Sequence, residues 1–313
     1  MKILVTGGAG FIGRWVVKRL LEDNNGVWVL DDLSNGSEEN LKEFRNSPNL
    51  DVKIGDVKDI GVLSKLFNND FDICIHLAAS IIVQESIDNP RITFENDVIG
   101  TFNILEEARK HNTKFVFMST CMVYDKASMD GAISETHPTK AASPYAGAKL
   151  AGENLVQSYY HAYDLPTVIL RPFNTYGPYQ KATGEGGVVS IFLQKKLNGD
   201  ILNIYGDGTQ TRDLMYVEDC AEFVVQASYS DVVNGEILNA GLGEDITIKN
   251  LAEIICKDKR KIRNVKHIHP QSEIPKLLCD YSKTRKLLGW EPKTSLIEGI
   301  NKTLNWMKKS AGK

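Results

Sequence analysis

Thr6-Gly7-Gly8-Ala9-Gly10-Phe11-Ile12-Gly13 follows the apolar run Ile3-Leu4-Val5 and opens a segment whose apolar residues Phe11, Trp15, Val16 and Leu20 have helical spacing. A strand, a glycine turn and a helix in that order suit a dinucleotide. Gly7, Gly10 and Gly13 stand in a GxxGxxG arrangement. Glycine at the turn accepts positive φ and lets backbone approach a pyrophosphate, the last glycine allows helix to pack on sheet, and the helix N-terminus supplies N–H donors and a positive dipole end. Asp31 and Asp32 end the next apolar run, about 20 residues on, where a carboxylate binds both ribose hydroxyls and repels a 2′-phosphate. We therefore expect NAD rather than NADP, with Asp31 on the ribose and Asp32 in a turn. Asp56, in Gly55-Asp56-Val57, serves either the adenine or a turn.

Working outward, the runs Ile3–Val5, Val27–Leu30, Val52–Ile54, Ile73–Leu77, Phe115–Phe117 and Val168–Leu170 alternate with longer segments of helical period, one of them carrying Phe94, Val98, Phe102, Leu105 and Ala108. Apolar strands without strict alternation are buried on both faces, so the expectation is an α/β fold: a Rossmann-type doubly wound parallel sheet. After Arg171 the pattern loosens and glycines and prolines punctuate short elements. The expected division is a dinucleotide-binding domain over 1–170, with a returning segment over 213–242 that includes the helical run Cys220–Ser228, and a smaller mixed lobe over 171–313.

The chain has 313 residues, 42% hydrophobic and 25% charged, which excludes disordered, collagen-like and coiled-coil classes. A net charge of −3 argues against a nucleic-acid partner, and the basic stretch Lys257–Lys266 alternates with neutral residues as a solvated surface does. No apolar run reaches the ~18 residues that span a bilayer, and Ile3–Val5 is too short for a signal-peptide core. Five cysteines without metal spacing fit reduced thiols and a cytoplasmic location.

Ser143-Pro144-Tyr145-Ala146-Gly147-Ala148-Lys149 places Tyr and Lys four apart, on one face of a helix. A nearby ammonium and an oxidised nicotinamide favour the phenolate, so we expect the Tyr145 phenol to be lowered toward working pH and to remove a proton from a sugar hydroxyl, with Lys149 also holding the nicotinamide ribose.

Together these residues carry a family resemblance. TGGAGFIG at 6–13, DDLSNG at 31–36, GDV at 55–57, HLAA at 76–79, STCMVY at 119–124, SPYAGAK at 143–149, RPFNTYGP at 171–178, IYGDGTQTRDLMYVED at 204–219 and CDYSKTRKLLGWEP at 279–292 resemble the extended short-chain dehydrogenases that modify nucleotide sugars. The resemblance spans nearly the whole chain. It implies NAD held by the 6–13 loop (Gly7, Gly10, Phe11, Ile12, Gly13), by Asp31, Asp56 and Val57, by Leu77, Ala78 and Ala79, and by Tyr145 and Lys149. It implies that Thr120 completes a triad with Tyr145 and Lys149 and touches the reacting hydroxyl. Asn174 and Arg212 match contacts to the sugar diphosphate, and Lys276 falls where many members carry another diphosphate Arg. It also implies a homodimer through the helical segments near Thr93–Lys110 and Tyr145–Tyr163.

Departures from the family pattern narrow the reaction. Members that dehydrate carry Asp-Glu after the Thr, where this chain has Cys121 and Met122; a Met cannot transfer a proton and a thiol is a poor substitute for a carboxylic acid. The Glu of decarboxylating members is also missing. The expectation is a nucleotide-sugar 4-epimerase acting through a transient 4-keto sugar, a UDP-sugar by preference. The alternatives are a dehydrogenase, an atypical dehydratase or a 3,5-epimerase with Cys121 as acid or base, and a non-catalytic NAD-binding regulator. Cys121 otherwise lines the pocket as a small hydrophobe. Asp125 and Ile81 depart from common members and point away from galactose enzymes, and Gly184–Gly187 forms a loop beside the expected pocket. His76 is expected to be structural, and His267 and His269 to have no role.

Overall fold

The computed structural model describes residues 1–127, 131–182, 187–266 and 274–311. Residues 184–186 of the glycine-rich loop, with His267 and His269, lie outside the described residues.

The apolar runs of the first half form the strands β1 (Lys2–Thr6), β2 (Gly26–Asp31), β3 (Leu50–Ile54), β4 (Ile73–His76), β5 (Lys114–Met118) and β6 (Thr167–Pro172). The later strands are β7 (Asn174–Tyr176), β8 (Leu202–Tyr205), β9 (Thr211–Tyr216), β10 (Ile237–Ala240), β11 (Asp245–Thr247) and β12 (Ile262–Val265). A seven-stranded sheet runs β10-β6-β5-β4-β1-β2-β3, with every neighbouring pair parallel. Helices cover both faces, so β4, β5 and β6 are buried along their whole length. The edge strand β3 departs from that expectation: Val52 and Ile54 are exposed, because a strand at the sheet's margin has a neighbour on one side only.

One face packs on helices Phe11–Glu22 and Val217–Tyr229, which lie side by side and bury Val16, Leu20, Phe223 and Val224. The other packs on helices Ile60–Phe67, Gly100–Lys110 and Pro144–Tyr163. A separate apolar core, with Phe192, Leu193, Leu202, Ile204 and Leu251, lies among β8, β9 and the helices Val188–Asn198, Ile248–Ile255 and Leu296–Ala311. Two small sheets frame it: β11-β9-β7, and the parallel pair β12-β8.

The segment read as one helical stripe from Phe94 to Ala108 is broken. A helix Pro90–Phe94, a π turn Glu95–Ile99 and a helix Gly100–Lys110 follow one another. The π turn is wider than an α turn and shifts the phase of the faces on either side of it. Val98, Leu105 and Ala108 are buried as the spacing predicts, but Phe94 and Phe102 are exposed.

The strand order reverses between β1 and β4, and in such sheets the crevice at the carboxyl ends of the strands receives the ligand. Among the described residues no helix is long and apolar enough to cross a membrane. All five cysteines are free and buried.

Candidate active site

The glycine loop leaves β1 at that reversal. Gly7 has φ 71° and its amide donates to Leu30 O at 2.8 Å, so the turn is anchored to β2. A Cβ on Gly7 would stand 2.7 Å from Ala78 N, and one on Gly13 only 2.1 Å from Gly7 O. The loop therefore closes on the strand β4 exit and on its own helix in a way only glycine permits. Helix Phe11–Glu22 starts at Gly10 with no side-chain cap, which leaves its first amides facing the crevice. Leu77, Ala78 and Ala79 border the crevice from β4; Leu77 N donates to Thr6 O at 3.1 Å and Ala78 N to Thr6 Oγ1 at 3.3 Å.

Asp31 lies at the loop but already has partners. Its Oδ2 accepts from Ala9 N and its Oδ1 from Leu33 N, each at 2.9 Å. Burial pushes its carboxyl above the usual range, and those two amides oppose the shift. Each oxygen keeps a second lone pair for a ribose hydroxyl. Asp32 accepts from Ser34 N at 2.9 Å and from its hydroxyl, as a turn residue does. Asp56 caps Lys58 N at 2.8 Å while remaining partly exposed at the β3 exit, beside the buried Val57. His76 is buried between Thr6 Oγ1 at 2.7 Å and Thr101 Oγ1 at 3.0 Å, and burial followed by the Lys149 charge pushes its imidazole down to about 3. It is a neutral spacer.

Thr120 follows β5 and caps the short 3₁₀ turn Cys121–Val123, accepting from Met122 N at 3.2 Å. Helix Pro144–Tyr163 begins with a Ser143 cap on Ala146 N at 3.2 Å and Pro144 in its first turn. Tyr145 thus sits in the first turn and Lys149 one turn further along. A Cβ on Gly152 would meet Phe117 Cζ at 2.6 Å, so this helix lies tightly on β5 and brings Tyr145 and Lys149 to the strand's end. The Thr120 side chain lies close enough to the Tyr145 phenol to lower its proton affinity. Lys149 Nζ donates to Met118 O at 3.0 Å and lies 5.2 Å from the Phe117 ring centre. Thr120, Tyr145 and Lys149 are all buried.

Burial pushes the Tyr145 phenol up; Asp97 and Cys121 add to the shift and Thr120 opposes it. Lys149 is itself pushed down by burial. Cys121 is 2% exposed and sits in an apolar cluster with Val123, Tyr124 and Ile133; burial pushes its thiol up to about 12, against the pull of Arg212.

The residues expected on the sugar diphosphate come from β7, β9 and the segment after 273. Thr211 N donates to Pro275 O at 2.9 Å and Asp213 N to Leu277 O at 2.8 Å, which sets Lys276 alongside Arg212. Arg212 Nη1 donates to Thr211 O at 2.7 Å and to Ile274 O at 2.9 Å, fixing the guanidinium near Cys121. Among the described residues Asn174 Oδ1 and Thr211 Oγ1 are buried with no hydrogen-bond partner, which leaves them open to a ligand or water.

Three further features escaped the sequence reading. Asp97, in the π turn, is 1% exposed, and its Oδ2 has no partner among the described residues. Glu153 and Arg171 form a buried ion pair behind Lys149, joined by Ser119. Asp213 is held by Leu242 N, Gly243 N and Cys279 N and ties β9 to the loop after β10. Arg171 carries a visible signal, a charge at the end of an apolar strand; nothing along the chain sets Asp97 or Glu153 apart from other acids in helical segments.

The crevice, the glycine turn that a single Cβ would close, and a Tyr–Lys pair at the β5 exit suit a dinucleotide with a second substrate beside it. Comparisons with known proteins agree. The GDP-mannose 4,6 dehydratase family model matches residues 4–303. A putative UDP-glucose 4-epimerase of Methanocaldococcus jannaschii is 37% identical over 309 residues, 98% of each chain. Pal from Bacillus thuringiensis is 62% identical with a TM-score of 0.97, covering 99% of this chain and 100% of that one. The dTDP-glucose 4,6-dehydratase DesIV from Streptomyces venezuelae, solved with NAD bound, is 30% identical with a TM-score of 0.93, covering 100% and 98%. The chain belongs to the GDP-mannose 4,6 dehydratase family, among the extended short-chain dehydrogenases that act as nucleotide-sugar epimerases and dehydratases.

Proposed function

We propose that the protein is an NAD-dependent nucleotide-sugar 4-epimerase that acts through a transient 4-keto sugar, with a UDP-sugar as the favoured substrate. The observation that carries this reading is the buried set Thr120, Tyr145 and Lys149 at the β5 exit, followed by Cys121 and Met122 rather than by carboxylic acids. A tyrosine and a lysine suffice for oxidation and re-reduction at one carbon. A 4,6-elimination needs a further acid and base.

Gly7, Gly10, Phe11, Ile12 and Gly13 would hold the pyrophosphate of NAD, Asp31 its adenosine ribose, Asp56 and Val57 its adenine, and Leu77, Ala78 and Ala79 the nicotinamide side. The nicotinamide supplies the hydride acceptor and afterwards the hydride donor. Tyr145 takes the proton of the carbon-four hydroxyl and later returns one, with Thr120 orienting that hydroxyl. Lys149 binds the nicotinamide ribose and places positive charge beside the phenol. Asn174, Arg212 and Lys276 grip the diphosphate while the keto sugar turns, so binding energy is drawn from a part of the substrate remote from the reacting carbon. In this reading residues 1–170, with the returning 213–242, form the cofactor half and 171–313 the sugar half. A second copy of the chain covers the exposed Phe94, Ile99, Phe102 and Tyr163, and the enzyme works in the cytoplasm.

Purified protein incubated with UDP-, dTDP- and GDP-sugars in deuterated water tests the reading. Interconversion at carbon four without deuterium incorporation is the expected result. Deuterium at carbon three or five would replace it with the second reading, in which Cys121, whose thiol lies close enough to Tyr145 to affect its proton affinity, acts as acid or base. Under the first reading Cys121→Ala keeps activity within a few-fold; under the second it abolishes it.

A further inference from the structure

Asp213 is wholly buried on β9, next in the chain to Arg212. Adjacent residues of a strand project to opposite faces, so its carboxylate does not share the Arg212 side of the sheet. It turns instead to three backbone amides. Oδ1 accepts from Leu242 N at 2.6 Å, and Oδ2 accepts from Gly243 N at 2.9 Å and from Cys279 N at 3.1 Å. Burial pushes the carboxyl up to about 6 and the three amides oppose the rise, so it is ionised at neutral pH. These bonds close a frame around the expected diphosphate contacts. The Thr211 and Asp213 amides lay Pro275–Leu277 along β9, with Lys276 between the two bonds, and Ile133 N holds Leu278 O at 2.8 Å from the other side. The bond to Cys279 N continues that tie past Leu277. Through Leu242 and Gly243 the same carboxylate fixes the turn into β11, whose Ile246 pairs with Arg212 on β9.

We propose that Asp213 is a positioning residue for the substrate's diphosphate, a buried clamp that sets the strand of Arg212 and the segment of Lys276 at a fixed separation. This rests on the reading of Arg212 and Lys276 as diphosphate ligands. An amide side chain cannot do the same work: two carboxylate oxygens meet three donors, and Asn would turn its own N–H groups against at least one of them. The direction of the effect identifies the role. A carboxylate acting on the site through charge alone repels an anion, so neutralising it would tighten diphosphate binding. A carboxylate that only stabilises the fold would leave the affinity of the folded protein unchanged. A clamp, once opened, weakens it.

The test is Asp213→Asn in the full-length protein, titrated calorimetrically with UDP, dTDP and GDP. For whichever diphosphate wild type binds, the dissociation constant should rise about tenfold or more, with NAD affinity near wild type. With the matching nucleotide sugar, KM should rise by a similar factor while kcat stays within a few-fold. Equal or tighter diphosphate binding by the folded variant overturns the proposal. If wild type binds none of the three, hydrogen exchange in the variant decides. Faster exchange confined to 242–243 and 274–279 keeps Asp213 as the clamp and defeats only the diphosphate reading; unchanged exchange there defeats both. Should Asp213→Asn not fold, wild type alone decides. A saturating nucleoside diphosphate should slow exchange at Leu242, Gly243 and Cys279 about tenfold beyond any slowing across helix Phe11–Glu22, because a ligand that needs the clamp closed makes its opening rarer by the same factor. No such slowing overturns the proposal.

Discussion

The exits of β1, β2 and β4 and the sheet β11-β9-β7 both face the site, but they are built from different materials. The first is backbone. Its chemistry lies in amides and in missing Cβ atoms, and its buried carboxylate, Asp31, is held by two amides of the surrounding loops. The second is side chain: Arg212, Lys276, Asn174 and Thr211, brought together by strand pairing between distant segments. A backbone cradle serves an invariant group such as a pyrophosphate, whereas side chains on a small sheet can change their grip without disturbing the main core. Thr120, Tyr145 and Lys149 sit at the seam.

Substitutions on the two sides should therefore separate. The largest effect is expected at the seam. Tyr145→Phe should lower turnover by about 10²–10⁴-fold while NAD affinity, followed by fluorescence titration, stays near wild type; near-normal turnover would remove the phenol from the reaction. Next, Arg212→Met should raise the KM for UDP-glucose by about ten- to a hundredfold, the loss of about 1.5–3 kcal/mol of charge-assisted hydrogen bonding, and leave NAD binding intact. A larger loss of NAD than of sugar affinity would break the comparison. On the backbone side Gly13→Ala forces a Cβ against Gly7 O and should cost about 1–3 kcal/mol of stability, read by denaturant unfolding, with weaker NAD binding and unchanged affinity for free UDP. The last effect is a slope. His76 is pushed down to about 3 in the fold from an ordinary 6.5. Between those values the unfolded chain binds a proton that the folded chain refuses. Stability is thus whole above 6.5 and falls on acidification toward 3, by about 1.4 kcal/mol per pH unit. His76→Gln should flatten that contribution in unfolding curves measured across the window.

The two sides also differed in how far the sequence revealed them. The glycine turn is local: eight consecutive residues carry the strand exit, the cradle and the helix start. The Tyr145–Lys149 spacing is local in the same sense, and the helix that carries it begins at a Ser-Pro pair visible in the sequence. Thr120, Asn174, Arg212 and Lys276 were placed only through the family resemblance, because no spacing joins residues that meet through strand pairing. The continuous stripe expected from Phe94 to Ala108 failed at the π turn, since a hydrophobic period cannot show where one wider turn is inserted. The nearness of Tyr145 to Lys149 is readable as spacing, but the burial that raises the proton affinity of the phenol is not.

The order of apolar strands, the glycine turn at the end of β1, the acidic end of β2 and the absence of an Asp-Glu pair after Thr120 belong to the sequence itself, for each is a matter of neighbours along the chain. Which charges are buried together was decided by the fold. Asp97, Lys149, Glu153 and Arg171 come from a π turn, a helix and a strand, and only packing removes them from water, where their charges would be screened and their proton affinities ordinary.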